Sequence, residues 1–197
     1  LSAIKDDAVS GGFYRASSGV NGYKIVLKTD DSFDLYAVNS LLPVPNGSCK
    51  NSQNQTGWGT WSIGTAGGST TFIGTYAFPA NGLIFLEDHI WAEGQIDGAR
   101  LNIVAAKFPI NSATYKNIIV NNNLAYTNFD GTDVIGLIAQ GNFLVGMASS
   151  NNLTIDAAII AQNGQTIRYY YSANCAPWTF RSALTTYGMF ASNGQGY

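Results

Sequence analysis

Between Glu87 and Arg100 the chain gathers Glu87, Asp88, His89, Glu93, Asp97 and Arg100, its densest run of titratable side chains. Paired carboxylates beside a base or a cation are what acid–base cleavage of a polysaccharide needs, one group donating a proton while the other accepts one or stabilises charge. The same residues also suit solvated corners. Glu87 and Asp88 fall where a strand would turn, Glu93 and His89 share parity with Phe85 and Trp91 on an outward face, and no second acidic run stands ready to line a groove. The structural use is preferred, so no catalytic residue is expected. His89 is the single histidine, which excludes a His-rich zinc site and any Ser-His-Asp triad built on another histidine.

Two oxygen-rich stretches raise calcium, Asn128 to Asp133 and the trio Asp30, Asp31 and Asp34. Neither follows an EF-hand or nonapeptide spacing, and Asx turns account for both, so no metal is expected. A GxGxxG or GK(S/T) phosphate loop is missing, so no cofactor is expected either. One surface does suggest recognition. Arg168, Tyr169, Tyr170 and Tyr171, with Trp178 and Arg181 shortly after, join aromatic faces to cations in a way that suits stacking on sugars or single-stranded bases. A Trp58/Trp61 pair is a lesser candidate of the same kind. Packing around an irregular loop is the bland alternative for both.

The elements that would position these residues carry few charges. Of 197 residues 11% are charged and 46% apolar, so uncharged polar side chains make up the difference and disorder is not expected. The first fifty residues hold five bases and five acids, whereas Asn51 to Leu86 holds none. From Glu87 onward five bases face seven acids, which is not the basic footprint of a nucleic-acid binder. Cys49 and Cys175 are the only cysteines and lie in no CxxC; a disulfide between them is expected, with two inert buried thiols as the alternative. Asn46, Asn54 and Asn152 head N-x-(S/T) sequons.

Ile4 to Ser10 reads as the last turns of a helix and Gly11 to Tyr14 as an extended piece. Tyr23, Ile25 and Leu27, then Phe33, Leu35 and Ala37, alternate around Asp30-Asp31-Ser32, which predicts a β-hairpin. Leu42 to Gly68, with Pro43, Pro45 and Gly47, reads as a long loop, and Thr70 to Phe78 as a strand. Beyond Gly82 short apolar steps of two recur (Ile84 and Leu86, Ile103 and Ala105, Ile135 and Leu137, Ile155 and Ala157), separated by corners of Gly, Asn and Asp. Ala139, Ala161 and Ala191 align three copies of a small-apolar-apolar-Ala-polar-turn unit at spacings of 22 and 30 residues, with a looser copy at Ala105 and an inserted loop from Lys107 to Lys116. Periods in the twenties without helices predict an all-β chain. Residues 1–80 form a hairpin and loop region, and residues 81–197 a parallel β-solenoid whose last strand is left as an open edge lacking a cap. A β-sandwich is the competing architecture.

The runs LIFLEDHIWAEGQIDGARLNIVAA from Leu83, NIIVNNNLAYTNFDGTDVIGLIAQGNFLVG from Asn117 and LTIDAAIIAQNG from Leu153 resemble PilX-type pilus-assembly proteins and the solenoid-bearing minor pilins of type IV pili. The likeness extends over roughly residues 20–196 and includes the hairpin GYKIVLKTDDSFDLYAV. It implies a non-enzymatic extracellular protein of the cell surface, anchored in the membrane before assembly, that displays its solenoid for adhesion or recognition. The pilin helix and its cleavage site do not occur in this sequence, so the resemblance implies that Leu1 follows a removed helix through which other pilus subunits would be contacted. A host-surface glycan or DNA is the implied ligand, and the isolated domain is expected to be a monomer. The motifs are structural and carry no catalytic residue; a polysaccharide lyase or hydrolase on a β-helix is the alternative.

Overall fold

The computed structural model describes residues 1–194; it is mostly β with one short helix. Helix α1 (Ser2–Gly11) leads into β1 (Phe13–Arg15), β2 (Tyr23–Lys28), β3 (Ser32–Val38) and, after a long irregular stretch, β4 (Thr70–Ala77). There follow β5 (Leu83–Leu86), β6 (Ile90–Ile96), β7 (Arg100–Ala105), β8 (Ile118–Val120), β9 (Leu124–Tyr126), β10 (Val134–Ala139) and β11 (Phe143–Val145). The last three are β12 (Asn152–Ala161), β13 (Thr166–Ile167) and β14 (Ala183–Ser192).

All strands join one hydrogen-bonded network, parallel except where β3 pairs with β2 and β4. In the first ladder Phe13, Ile84, Ile103, Leu137, Ile159 and Phe190 lie abreast on β1, β5, β7, β10, β12 and β14. A second ladder sets Tyr23, Ile90, Ile118, Phe143 and Thr166 abreast. The third aligns Leu27, Gly94, Leu124, Ile155 and Thr186. Because β6 pairs with β8 near its start and β9 near its end, a single strand bends from the second ladder into the third. Strand β12 passes likewise from the third to the first. Side chains from all three ladders make one core, in which Ile103, Ile118, Leu124, Leu137 and Ile159 are fully buried. Alternation at period two is what aims these residues inward while their neighbours face out.

The corners explain the Gly and Asn content. Asn117 Oδ1 accepts the N–H of Asn142, and Asn142 Oδ1 that of Gln165, both at 2.8 Å. Each carboxamide lies where the next layer has a glycine, Gly141 over Asn117 and Gly164 over Asn142, and a Cβ at either glycine would strike it. Corner asparagines therefore satisfy main-chain donors that a turn would otherwise leave unpaired.

The predicted hairpin is present, with Tyr23 opposite Ala37, Ile25 opposite Leu35 and Leu27 opposite Phe33. It closes one end of the core, where Phe13, Phe33, Tyr76 and Phe78 meet at ring separations of 4.8 to 6.4 Å. Strands on both sides of residue 80 belong to the one network, through β1 with β5 and β2 with β6. At the opposite end β14 pairs, among the described residues, only with β12, and it exposes Leu184, Tyr187, Met189 and Phe190.

Three expectations need correction. The register sets Ala161 beside Ser192 and Ala191 beside Ile160, so the last spacing is 31 rather than 30; Ala105, Ala139 and Ala161 do stand in one row. Asp88 is not a solvated corner but 1% exposed, because the chain at Ser17 and Ser18 folds over it. The outward face carrying Phe85 and Trp91 is covered: α1 packs through Ala8 on Phe85 and Val104, and the long loop packs on Trp91.

Candidate ligand surface

The outer face of the second ladder presents Trp91, Ile119, Leu144 and Ile167, an apolar stripe that the irregular segments of the chain cover. Leu42, Trp58, Trp61 and Ile63 arrive from the loop after β3, and Tyr169, Tyr171 and Trp178 from the loop before β14. Cys49 and Cys175 are joined in a disulfide that ties these two loops together across 126 positions. Both sulfurs are buried beneath the loops they connect.

This packing sorts the predicted recognition residues. Tyr169 and Tyr171 are 2% and 1% exposed, their hydroxyls donating to the carbonyls of Thr56 and Gly59. Burial raises the pKa of both, that of Tyr171 the more strongly, so they serve as neutral donors in the core and not as stacking faces. Strand-like alternation sends Tyr170 the other way, to 46% exposure, with its N–H donated to Gln55 Oε1. Its carbonyl accepts from Trp58 Nε1. Trp178 is partly buried over the loops, and Trp61 Nε1 donates to Gly57. Neither member of the Trp58/Trp61 pair is free to present its indole edge.

Arg168 is half-buried, its guanidinium donating to the carbonyls of Met147, Trp178 and Thr179 at 3.0, 2.6 and 3.3 Å and lying 4.8 Å from the centre of the Tyr171 ring. Arg181 reaches the same Met147 carbonyl at 3.5 Å. Burial lowers the pKa of each, and for Arg168 the neighbouring Arg181 charge acts in the same direction.

Two depressions flank these loops. A shallow dish of about 680 Å³ is lined by Gln53, Gln55, Arg168, Tyr170, Thr179 and Phe180. Phe180, 81% exposed, was missed in the sequence; the signal was an apolar residue with no alternation partner in a Pro- and Ser-containing loop. A groove of about 620 Å³ runs between the Gly64–Ser69 loop and the outer edge of β6. In it Glu93 pairs with Lys24 at 2.7 Å and accepts from Asn122 Nδ2 at 2.7 Å, beside Trp178.

The acidic run does different work. Asp88 accepts from Ser17, from the N–H and hydroxyl of Ser18, from the N–H of His89 and from Lys116 Nζ. Its burial opposes ionisation, but Lys116 and the Ser18 bonds outweigh it and hold the carboxyl below its ordinary pKa. His89 is neutral, pushed down to about 4 chiefly by burial and next by the Lys116 charge. Glu87 pairs with Lys5 on α1, and Asp97 accepts from Asn128. Glu87, Asp88 and His89 share the turn between β5 and β6, whereas Glu93 lies on β6 and Asp97 in the turn after it. In the two calcium candidates Asp34 pairs with Lys28, Asp130 accepts within its own turn, and Asp133 is buried among main-chain donors. Among the described residues no three His, Cys, Asp or Glu side chains stand together to hold a metal ion, and no helix is long and apolar enough to cross a membrane.

Comparison with known protein families, curated proteins and solved structures finds no match to this chain.

Proposed function

We propose that this chain is a non-enzymatic extracellular display module, in which the three parallel ladders are the faces of a β-solenoid and the disulfide-tied loops carry a surface for adhesion or ligand recognition. One observation carries the reading. The side chains that looked most reactive, Asp88 and His89, accept hydrogen bonds from neighbouring segments, Asp88 fully buried and His89 partly so, whereas the dish around Tyr170 and Phe180 is open. A scaffold that holds its polar groups in interlayer bonds and offers exposed aromatic rings at its side suits binding better than turnover.

The resemblance to solenoid-bearing minor pilins gives this module its setting at the cell surface, joined to a type IV pilus through a helix leading into α1, with a host-surface glycan or DNA as its ligand. Shearing fibres from cells that express the full-length protein tests this directly. The protein is expected to travel with the fibres by immunoblot and to label them by immunogold. Intact fibres that lack it would overturn the pilus assignment and leave a display module of another surface structure.

A further inference from the structure

Ser149 Oγ, Thr166 Oγ1, Arg168 Nε and Arg181 Nε are buried and have no hydrogen-bond partner among the described residues, and all four residues line one cavity of about 290 Å³. The cavity opens between the loop after β11, strand β13 and the start of β14. Its other walls are mostly apolar, with Leu153 and Ile155 from the core and the exposed Leu184 and Phe190 of β14, beside Ser150 and Ser182.

Two guanidinium groups meet here. Both donate to the Met147 carbonyl, so they stand side by side, and among the described residues no carboxylate pairs with either. From Val134 onward the sequence holds a single acid, Asp156, which is buried and accepts the N–H of Tyr126. Like charges brought together at a half-buried position are unfavourable, and main-chain carbonyls supply dipoles but no neutralising charge. Water can satisfy the two hydroxyls, but it does not balance the cations. An oxyanion does both, since planar or tetrahedral oxygens match a guanidinium fork and accept from hydroxyls.

We propose that this cavity is a binding site for an oxyanion group, carboxylate or sulfate, carried on a sugar ring, so that the module recognises an acidic saccharide. The inference rests on the reading of the chain as a display module and names its ligand class. A bare ion would occupy a small part of the volume, and the apolar wall matches the C–H face of a pyranose. Arg168, fixed by three carbonyls, anchors the site; Arg181, with one long hydrogen bond, is the cation left to close on the ligand.

The test is titration calorimetry of the purified chain with sodium D-glucuronate and with sodium sulfate at constant ionic strength, with glucose as the neutral control. Saturable glucuronate binding is expected, weakened at least tenfold in Arg181→Gln and several-fold in Thr166→Val, unchanged in Arg100→Gln, and matched by no response to glucose. Thr166→Val removes one hydroxyl at nearly constant volume, so it keeps the test open if the arginine variant fails to fold. Binding of sulfate with no binding of glucuronate would overturn the saccharide assignment. Silence from both oxyanions, or equal binding of glucose, would overturn the site. The measurement uses no fibres, so its failure and the failure of the pilus assignment are separate results.

Discussion

His89 Nδ1 accepts the main-chain N–H of Asn117 at 3.0 Å, which makes the only histidine the first member of a corner column continued by Asn117, Asn142 and Gln165. An imidazole can fill this place only while Nδ1 is unprotonated, because a protonated ring has two donors and no acceptor. Burial and the adjacent Lys116 charge both favour the neutral form.

A pH dependence follows. The folded-state pKa of about 4 lies below the ordinary 6.5, so between these values the unfolded chain binds the proton and the folded chain does not. Stability from this group is complete above pH 6.5 and is lost as pH falls toward 4, by at most about 3 kcal/mol. Urea midpoints measured from pH 7.5 to 4 should fall across that window. His89→Asn, which supplies an amide acceptor like its column neighbours, should flatten the curve; an equally steep fall in that variant would remove His89 as the cause.

Asp133 is predicted to be a structural staple. Its Oδ1 accepts from Gly98 and Ala99, and its Oδ2 from Thr127 and Asn128, so one carboxylate joins the turn after β6 to the turn after β9. Asp133→Asn turns one acceptor into a donor facing N–H groups, and we expect a loss of about 2–4 kcal/mol. The exposed Asp130, which bonds only within its own turn, should tolerate Asn within about 0.5 kcal/mol. Equal thermal shifts for the two variants would contradict the assignment.

Much of this was legible because period-two patterns carry their own geometry. Tyr23-Ile25-Leu27 and Phe33-Leu35-Ala37 around Asp30-Asp31-Ser32 made the hairpin legible, and the Ala105, Ala139, Ala161 row the parallel register of three strands. The register of β14 slipped by one because a row read from composition has no means of weighing Ala191 against Ser192. Burial of Asp88, Asp133, Tyr169 and Tyr171 was not legible: it depends on segments distant in sequence, Ser17 to Ser18 over Asp88 and Thr56 to Gly59 over the tyrosines. The Arg168 and Arg181 cavity was legible only as a pair of cations; its orphaned hydroxyls come from chain segments that the fold alone brings together.

The inward assignment of β12 gives a clean contrast. Ile155 is buried in the core between Leu124 and Thr186, whereas Ile160 on the same strand points outward and is part-exposed. Ile155→Asp places an unpaired charge in apolar surroundings and should prevent folding, while Ile160→Asp should leave a folded chain. Circular dichroism and soluble yield read the outcome. A well-folded Ile155→Asp protein would mean that the third ladder does not face the core.

The three consecutive tyrosines should separate stability from recognition. Tyr171→Ala removes a buried ring and the hydroxyl bond that holds Gly59, and should cost about 3–5 kcal/mol. Reducing the Cys49–Cys175 bridge frees the same pair of loops and should cost about 2–5 kcal/mol. Tyr170→Ala and Phe180→Ala act on exposed rings of the dish and should shift the melting temperature little, because neither ring is part of the core beneath. If those rings serve adhesion, the double variant should keep its fold and lose at least tenfold in attachment of protein-coated beads to target cells. Retained attachment would remove the dish from the recognition surface and leave the Arg168 and Arg181 cavity and the groove beside Glu93 and Trp178 as the places to mutate next.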